Sequence, residues 1–128
     1  MIVVDTSAIV AIDLREPNFE LIPARLLSRA RRLIPATAVV EATMVLSRVH
    51  RDPKAVLNRY ISTMGLTIAA IDPAIADAAQ EAFLKFGKGR HPARLNLCDC
   101  FSYAVAKVTD ASLLFVGHDF SQTDIRAA

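Results

Sequence analysis

Thirteen carboxylates occur among the 128 residues, and most have an ordinary structural reason to stand where they do. Asp52 and Asp72 each precede a proline, the arrangement of a helix cap followed by Pro at the first helical position. Asp13, Glu16 and Glu20 sit in polar surroundings near a helix break, and Asp77, Glu81 and Asp110 suit solvated helix faces or ends. Asp5, Glu41, Asp99, Asp119 and Asp124 remain. Glu41 interrupts the apolar run Ala38-Val39-Val40 and Ala42-Thr43-Met44-Val45-Leu46, one position too late to close a capping box with Thr37. A charge buried there without a partner is costly. Asp99 stands between Cys98 and Cys100 in an apolar segment, though as the third residue after Asn96 it also fits a first-turn acid opposing the helix dipole. Asp5 alone reads equally as a helix cap, and Asp119 alone as a turn residue.

Asp5, Glu41, Asp99 and Asp119 all abut apolar segments, and none has Lys or Arg as a sequence neighbour. Two carboxylates about 4 Å apart repel by roughly 4 kcal/mol at an effective dielectric of 20. Four of them can meet in ionised form only around hard cations, and oxygen-only ligation favours one or two Mg²⁺ or Mn²⁺ over zinc. The chemistry of such a centre is activation of water and in-line displacement at phosphorus. No rival nucleophile competes: the G-x-S-x-G elbow, the Gly-rich phosphate loop and the H-E-x-x-H pair are all absent. With two cysteines and three scattered histidines there is no four-ligand zinc set, and both thiols are expected to be structural. By the same repulsion, Asp5→Asn is expected to raise the stability of the metal-free protein.

The elements that must bring these acids together alternate. Ile2 to Val4 reads as a strand ending at Asp5, and Thr6-Ser7 opens a helical stretch, Ala8 to Ile12. A second helix is expected from Pro17 to about Arg32, a short strand at Leu33 to Pro35, and a third helix from Ala38 to about Val49. After the Asp52-Pro53 cap come a helix and the strand Leu66 to Ile71; after Asp72-Pro73 comes a helix to Phe86. Gly87 to Arg94, GKGRHPAR, is a basic loop rich in helix breakers, Asn96 starts a helix to about Val108, and Leu113 to Val116 is the last strand. Strand and helix in alternation, with no repeat or linker, predict one domain over residues 1–128 with a three-layer α/β/α fold and a mainly parallel sheet. Ligands of such sheets gather beyond the carboxyl ends of the strands, where Asp5 and Asp119 would meet.

Composition agrees. The apolar share of 53% with no Trp suits a core of Ala, Val, Ile and Leu. No apolar run reaches the roughly 18 residues of a membrane span, and the strand-like start differs from a signal peptide, so a cytoplasmic protein without membrane contact is expected.

Four segments, IVVDTSAIVAI, PATAVVEATMVLSR, NLCDCFSYAVAK and LLFVGHDFSQTDI, resemble in order and spacing the PIN-domain proteins, in particular the VapC-type toxins of toxin–antitoxin pairs. The resemblance spans essentially the whole chain. It implies that Asp5, Glu41, Asp99 and Asp119 occupy the family's acidic metal positions, with Asp5 and Asp99 as direct ligands and Glu41 and Asp119 completing the site or holding water. Asp124 matches a further acid, Thr6 a hydroxyl beside the first acid, and Asn96 a polar residue opening the last conserved helix. His118 departs from the Asn or Lys common before the final acid. Endonucleolytic cleavage of RNA, a homodimer and a protein antitoxin are likewise implications of the resemblance.

If metal neutralises four acids, fifteen bases face nine acids, a balance of +6 that favours a polyanionic partner. Lys88, Arg90 and Arg94, leading into Asp99, are candidates to guide RNA, with Lys85 nearby; Arg25, Arg29 and Arg32 at helical spacing read more readily as a solvated face. No aromatic stacking platform is evident. Two other classes compete. A PIN-like binding protein without activity would not need all four acids, and a phospho-receiver domain, with Asp72 as acceptor, would need paired acids after the first strand, where Asp5 has Val4 and Thr6 as neighbours, and a Lys after a late strand, where Leu113 to His118 has none.

Overall fold

In the computed structural model, which describes residues 1–128, the N-terminal run of β-branched residues forms β1 (Ile2–Val4), completely buried because helices cover both faces. The chain continues through α1 (Thr6–Asp13), α2 (Leu21–Leu27), β2 (Arg32–Pro35), α3 (Ala36–Leu46), α4 (Pro53–Thr63) and β3 (Thr67–Ala69). It ends with α5 (Pro73–Phe86), α6 (Leu97–Val108), β4 (Ser112–Leu114) and one short 3-10 turn (Phe120–Gln122). The four strands lie in the order β3-β2-β1-β4, all parallel.

The two-residue period of the strands divides the core. Val3, Leu33 and Leu113 point to the face covered by α5 and α6, meeting Ile75, Phe86, Tyr103 and Val105. Ile2, Val4, Ile34 and Leu114 point to the other face, against Ile9, Leu26, Ala42, Leu46 and Leu57 of α1 to α4. The expected α/β/α layering follows directly. No helix is long and apolar enough to cross a membrane. The C-terminal residues add a bridge along β4, Leu113 to Ala127, closed by Leu113 N–H on Arg126 O at 2.8 Å and Ala128 N–H on Leu113 O at 2.9 Å.

Both Asp-Pro pairs cap as expected: Asp52 accepts from Ala55 N–H at 3.0 Å and Asp72 from Ile75 N–H at 2.9 Å. Asp72 thereby has the capping role that its place before Pro73 predicts. The second helix is much shorter than its pattern suggested. Arg15 and Asn18 adopt left-handed φ values of 50° and 66°, which postpones the helix to Leu21, and the Ser28 hydroxyl then closes its end on Arg25 O at 2.6 Å. Arg29 and Arg32 therefore lie outside the helix and share no face with Arg25. Arg32 opens β2, its guanidinium donating to Arg29 O and Met64 O. Strands β3 and β4 are likewise shorter than the apolar runs Leu66 to Ile71 and Leu113 to Val116 that contain them.

Candidate acidic cleft

Asp5 immediately follows β1 and caps α1, so the sheet edge and the helix start fix its backbone together. Its side chain is 3% exposed and accepts three hydrogen bonds. Ser7 N–H and the Ser7 hydroxyl donate to Oδ2 at 3.0 and 2.7 Å, and the Ser102 hydroxyl of α6 donates to Oδ1 at 2.7 Å. Ser7 Oγ in turn accepts Val116 N–H at 3.0 Å, tying the segment after β4 to the same carboxylate. With about four lone-pair positions on a carboxylate, Asp5 keeps about one for a ligand.

Asp99 lies at the third position of α6. The alternative weighed for it holds as well: Asn96 and Asp99 form a reciprocal capping box, Asp99 N–H donating to Asn96 Oδ1 at 2.9 Å and Asn96 N–H to Asp99 Oδ2 at 3.0 Å. Capping leaves the other carboxylate oxygen without a protein donor. Burial, and then the charges of Asp5, Glu41 and Asp119 acting against the favourable Asn96 hydrogen bond, push the Asp99 carboxyl up to about 7. The other three expected acids therefore all act electrostatically on Asp99. Glu41, half-buried on α3, faces Cys98; burial of that thiol and the neighbouring Glu41 carboxylate raise its pKa to about 12, so Cys98 is a neutral wall of the site. One turn before Glu41, the Thr37 hydroxyl is buried without a partner. Asp119, exposed, follows the left-handed Gly117 (φ 107°) at the turn beyond β4.

Asp5, Glu41, Asp99 and Asn96 line one cleft of about 430 Å³ with Thr6, Ser7, Val10 and Gly117. Thr6 lines it but spends its hydroxyl on Ala38 O of α3 at 3.3 Å. Asp124 does not join. Its carboxylate is taken by the Tyr103 hydroxyl at 2.5 Å and Lys107 at 3.0 Å, which lower its pKa, and it latches the C-terminal segment to α6. Glu16, which the sequence reading set aside, also lines the cleft, carried there by the turn after α1 that Glu16 N–H closes on Ala11 O at 2.9 Å. Ser7 and Ser102 were missed too. The available signals were a Ser two residues after Asp5 and a Ser one turn after Asp99 in an otherwise apolar helix.

A depression of about 580 Å³ between α5 and α6 is mostly apolar and holds no carboxylate. None of the four expected acids forms an ion pair. Yet no three Asp, Glu, His or Cys side chains form a ready-made metal cage, which corrects the expectation of a tight four-carboxylate cluster. The donor set nevertheless fits a hard divalent ion, because Mg²⁺ keeps several waters and takes one or two carboxylates together with substrate phosphate.

The PIN domain family model matches residues 2–126. A ribonuclease VapC of Mycolicibacterium smegmatis is 39% identical over 126 residues, covering 98% of both chains. Ribonuclease VapC36 of Mycobacterium tuberculosis is 40% identical over 125 residues, 96% of this chain and 90% of that protein. Among solved structures, the chain superposes with TM-score 0.77 and 19% identity on VapC20 of Mycobacterium tuberculosis, described as a Sarcin-Ricin loop cleaving toxin, covering 100% and 98% of the two chains. It superposes with TM-score 0.73 and 16% identity, over 97% and 93%, on a chain of a toxin–antitoxin complex from Klebsiella pneumoniae.

Proposed function

Because this chain belongs to the PIN domain family, we propose that it is a metal-dependent endoribonuclease, the toxin of a type II toxin–antitoxin pair. The observation that carries the reading is a cleft at the carboxyl end of the parallel sheet lined by Asp5, Glu16, Glu41 and Asp99, with no cationic side chain in its lining and Asp119 near enough to act on Asp99 through its charge. One or two Mg²⁺ or Mn²⁺ ions fit that donor set, with Asp5 and Asp99 as direct ligands and Glu41 and Asp119 completing the shell or holding water; when bound they supply charge neutralisation and an activated water.

The protein's own residues do the positioning. Ser7 and Ser102 fix both oxygens of Asp5, and the Asn96 box fixes Asp99, so the two carboxylates sit on rigid elements and would offer defined lone pairs to a divalent cation in the cleft. The exposed apolar side chains Val40 and Met44 on α3 and Leu97 at the start of α6 border this region. They supply the kind of surface that a second copy or a protein antitoxin would cover. A cytoplasmic location goes with an RNA target.

Purified protein incubated with mixed RNA in Mg²⁺ or Mn²⁺ is expected to cleave it, and to lose that activity in chelator and on Glu41→Gln. Cleavage that survives either control refutes the assignment to this cleft.

A further inference from the structure

Gly87 to Leu95 connects α5 to α6 and places Lys88, Arg90 and Arg94 within seven residues. A mobile basic loop would be no more than a solvated surface; this one is built on a frame. Gly87 and Leu95 bridge in parallel, Lys88 N–H donates to Leu95 O and Leu95 N–H to Phe86 O, both at 3.0 Å. Arg90 and His91 N–H converge on Gly87 O at 3.0 and 3.1 Å, and Arg94 N–H reaches His91 O at 3.0 Å. Ala93 and Leu95 are fully buried, anchoring the loop in the core. At Gly87 a β-carbon would fall 2.3 Å from the Phe83 ring, so that ring lies directly on the loop's first residue. Arg94 is held at φ 54°, a left-handed conformation that a non-glycine residue keeps only where its surroundings dictate it.

The cations on this frame are free to bind. Arg90 donates Nε–H to Leu84 O at 3.1 Å with its guanidinium 5.9 Å from the Phe83 ring centroid, which leaves both Nη groups without a protein acceptor. Lys88, Arg90 and Arg94 take part in no ion pair. His91 accepts Ala93 N–H on Nδ1 at 3.0 Å and meets Phe86 edge-on, which puts the ring proton of the neutral imidazole on Nε2 as a donor. The depression they frame contains Gly89 and Pro92 but no Ala, Val, Leu, Ile, Met or Phe. A protein partner's contact would call for an apolar centre, whereas a nucleic-acid strand calls for fixed cations at phosphate spacing. The surface is also continuous with the cleft: Lys88 shares a depression with Asn96, and Asn96 lines the acidic cleft with Asp99.

We propose that the 87–95 loop is a preformed phosphate site that holds the RNA backbone beside the cleaved bond, through Lys88, Arg90, Arg94 and His91 Nε2–H. The proposal rests on the ribonuclease reading for the identity of the strand, and it assigns the loop to affinity and not to chemistry. Its frame keeps the entropy lost on binding small.

The test is binding of a fluorescent single-stranded RNA oligonucleotide to the full chain in chelator, where no metal-dependent cleavage intervenes, for wild type, Lys88→Gln, Arg90→Gln and Arg94→Gln. Each substitution is expected to weaken binding roughly tenfold and to lower the slope of log affinity against log salt by about 0.7. The turnover number at saturating RNA in Mg²⁺ is expected to stay at the wild-type value. Unchanged affinity and slope overturn the proposal, as does weaker binding at an unchanged slope, which marks a disturbed fold. A fall in turnover at saturation overturns the division between affinity and chemistry. Polyglutamate bound as tightly as RNA, and weakened equally by the three substitutions, overturns the RNA assignment in favour of an acidic protein. Loop-dependent RNA binding without any cleavage in Mg²⁺ refutes the ribonuclease reading alone, while cleavage with loop-independent binding refutes this proposal alone.

Discussion

Asp99→Asn isolates the electrostatic strain of the metal-free cleft. The variant keeps a side-chain oxygen to accept Asn96 N–H, so the capping box survives while the charge does not. An acid raised in the folded protein from 3.8 to about 7 carries a folding penalty that is absent below about pH 4, grows as pH rises, and is complete above about pH 7. The rise corresponds to about 4 kcal/mol at 1.36 kcal/mol per pH unit, and solvent screening of a half-buried group reduces it to about 2 kcal/mol. In chelator, urea unfolding of wild type and Asp99→Asn should therefore give closely similar stabilities near pH 4, with the variant ahead by about 2 kcal/mol at pH 8. Adding Mg²⁺ at pH 8 should close that gap by raising the wild type more than the variant, since binding to the native state alone adds stability by mass action. A pH-independent difference, or a wild type that gains on the variant as pH rises without metal, refutes the argument that burial and the neighbouring acids strain Asp99.

Ser102→Ala removes a buried hydroxyl bonded to Oδ1 of Asp5 at 2.7 Å and should lower stability by about 2 kcal/mol in thermal or urea unfolding, with a larger proportional loss of RNA cleavage than of RNA binding because Asp5 loses its orientation. Asp5→Asn should also destabilise the metal-free protein, by about 1 to 3 kcal/mol, because the amide has one acceptor oxygen where two now serve Ser7 N–H, the Ser7 hydroxyl and the Ser102 hydroxyl, so at least one of these donors loses its acceptor; a rise in unfolding midpoint would restore the simpler expectation that relief of repulsion dominates.

Asp5 separates what a sequence can tell about such a cleft from what it cannot. Residue type and apolar surroundings were enough to single out Asp5, Glu41 and Asp99, which line one cleft, because a lone acid in an apolar run has few structural uses; Asp119 stands at an exposed turn outside that lining. The parallel sheet was legible for a related reason: strands buried on both faces read as unbroken apolar runs, and Asp-Pro marks helix starts through a local bond. Partners were not legible. Asp5 and Ser102 are ninety-seven positions apart, and whether a carboxylate is strained or satisfied depends on donors that only the fold brings near. The same blindness made Asp13 look like an ordinary surface acid, although His50 and Tyr60 both bond it at 2.8 Å and pin the end of α1 to the α3–α4 region. It also let the arginines at 25, 29 and 32 pass for one face, since a 3.6-residue spacing says nothing about where left-handed residues and a serine back-bond stop a helix. Glu16 entered the cleft through such a turn. Local bonds within about four residues can thus be read from a chain, whereas the sign of a substitution at an active-site acid requires knowing every donor that faces it.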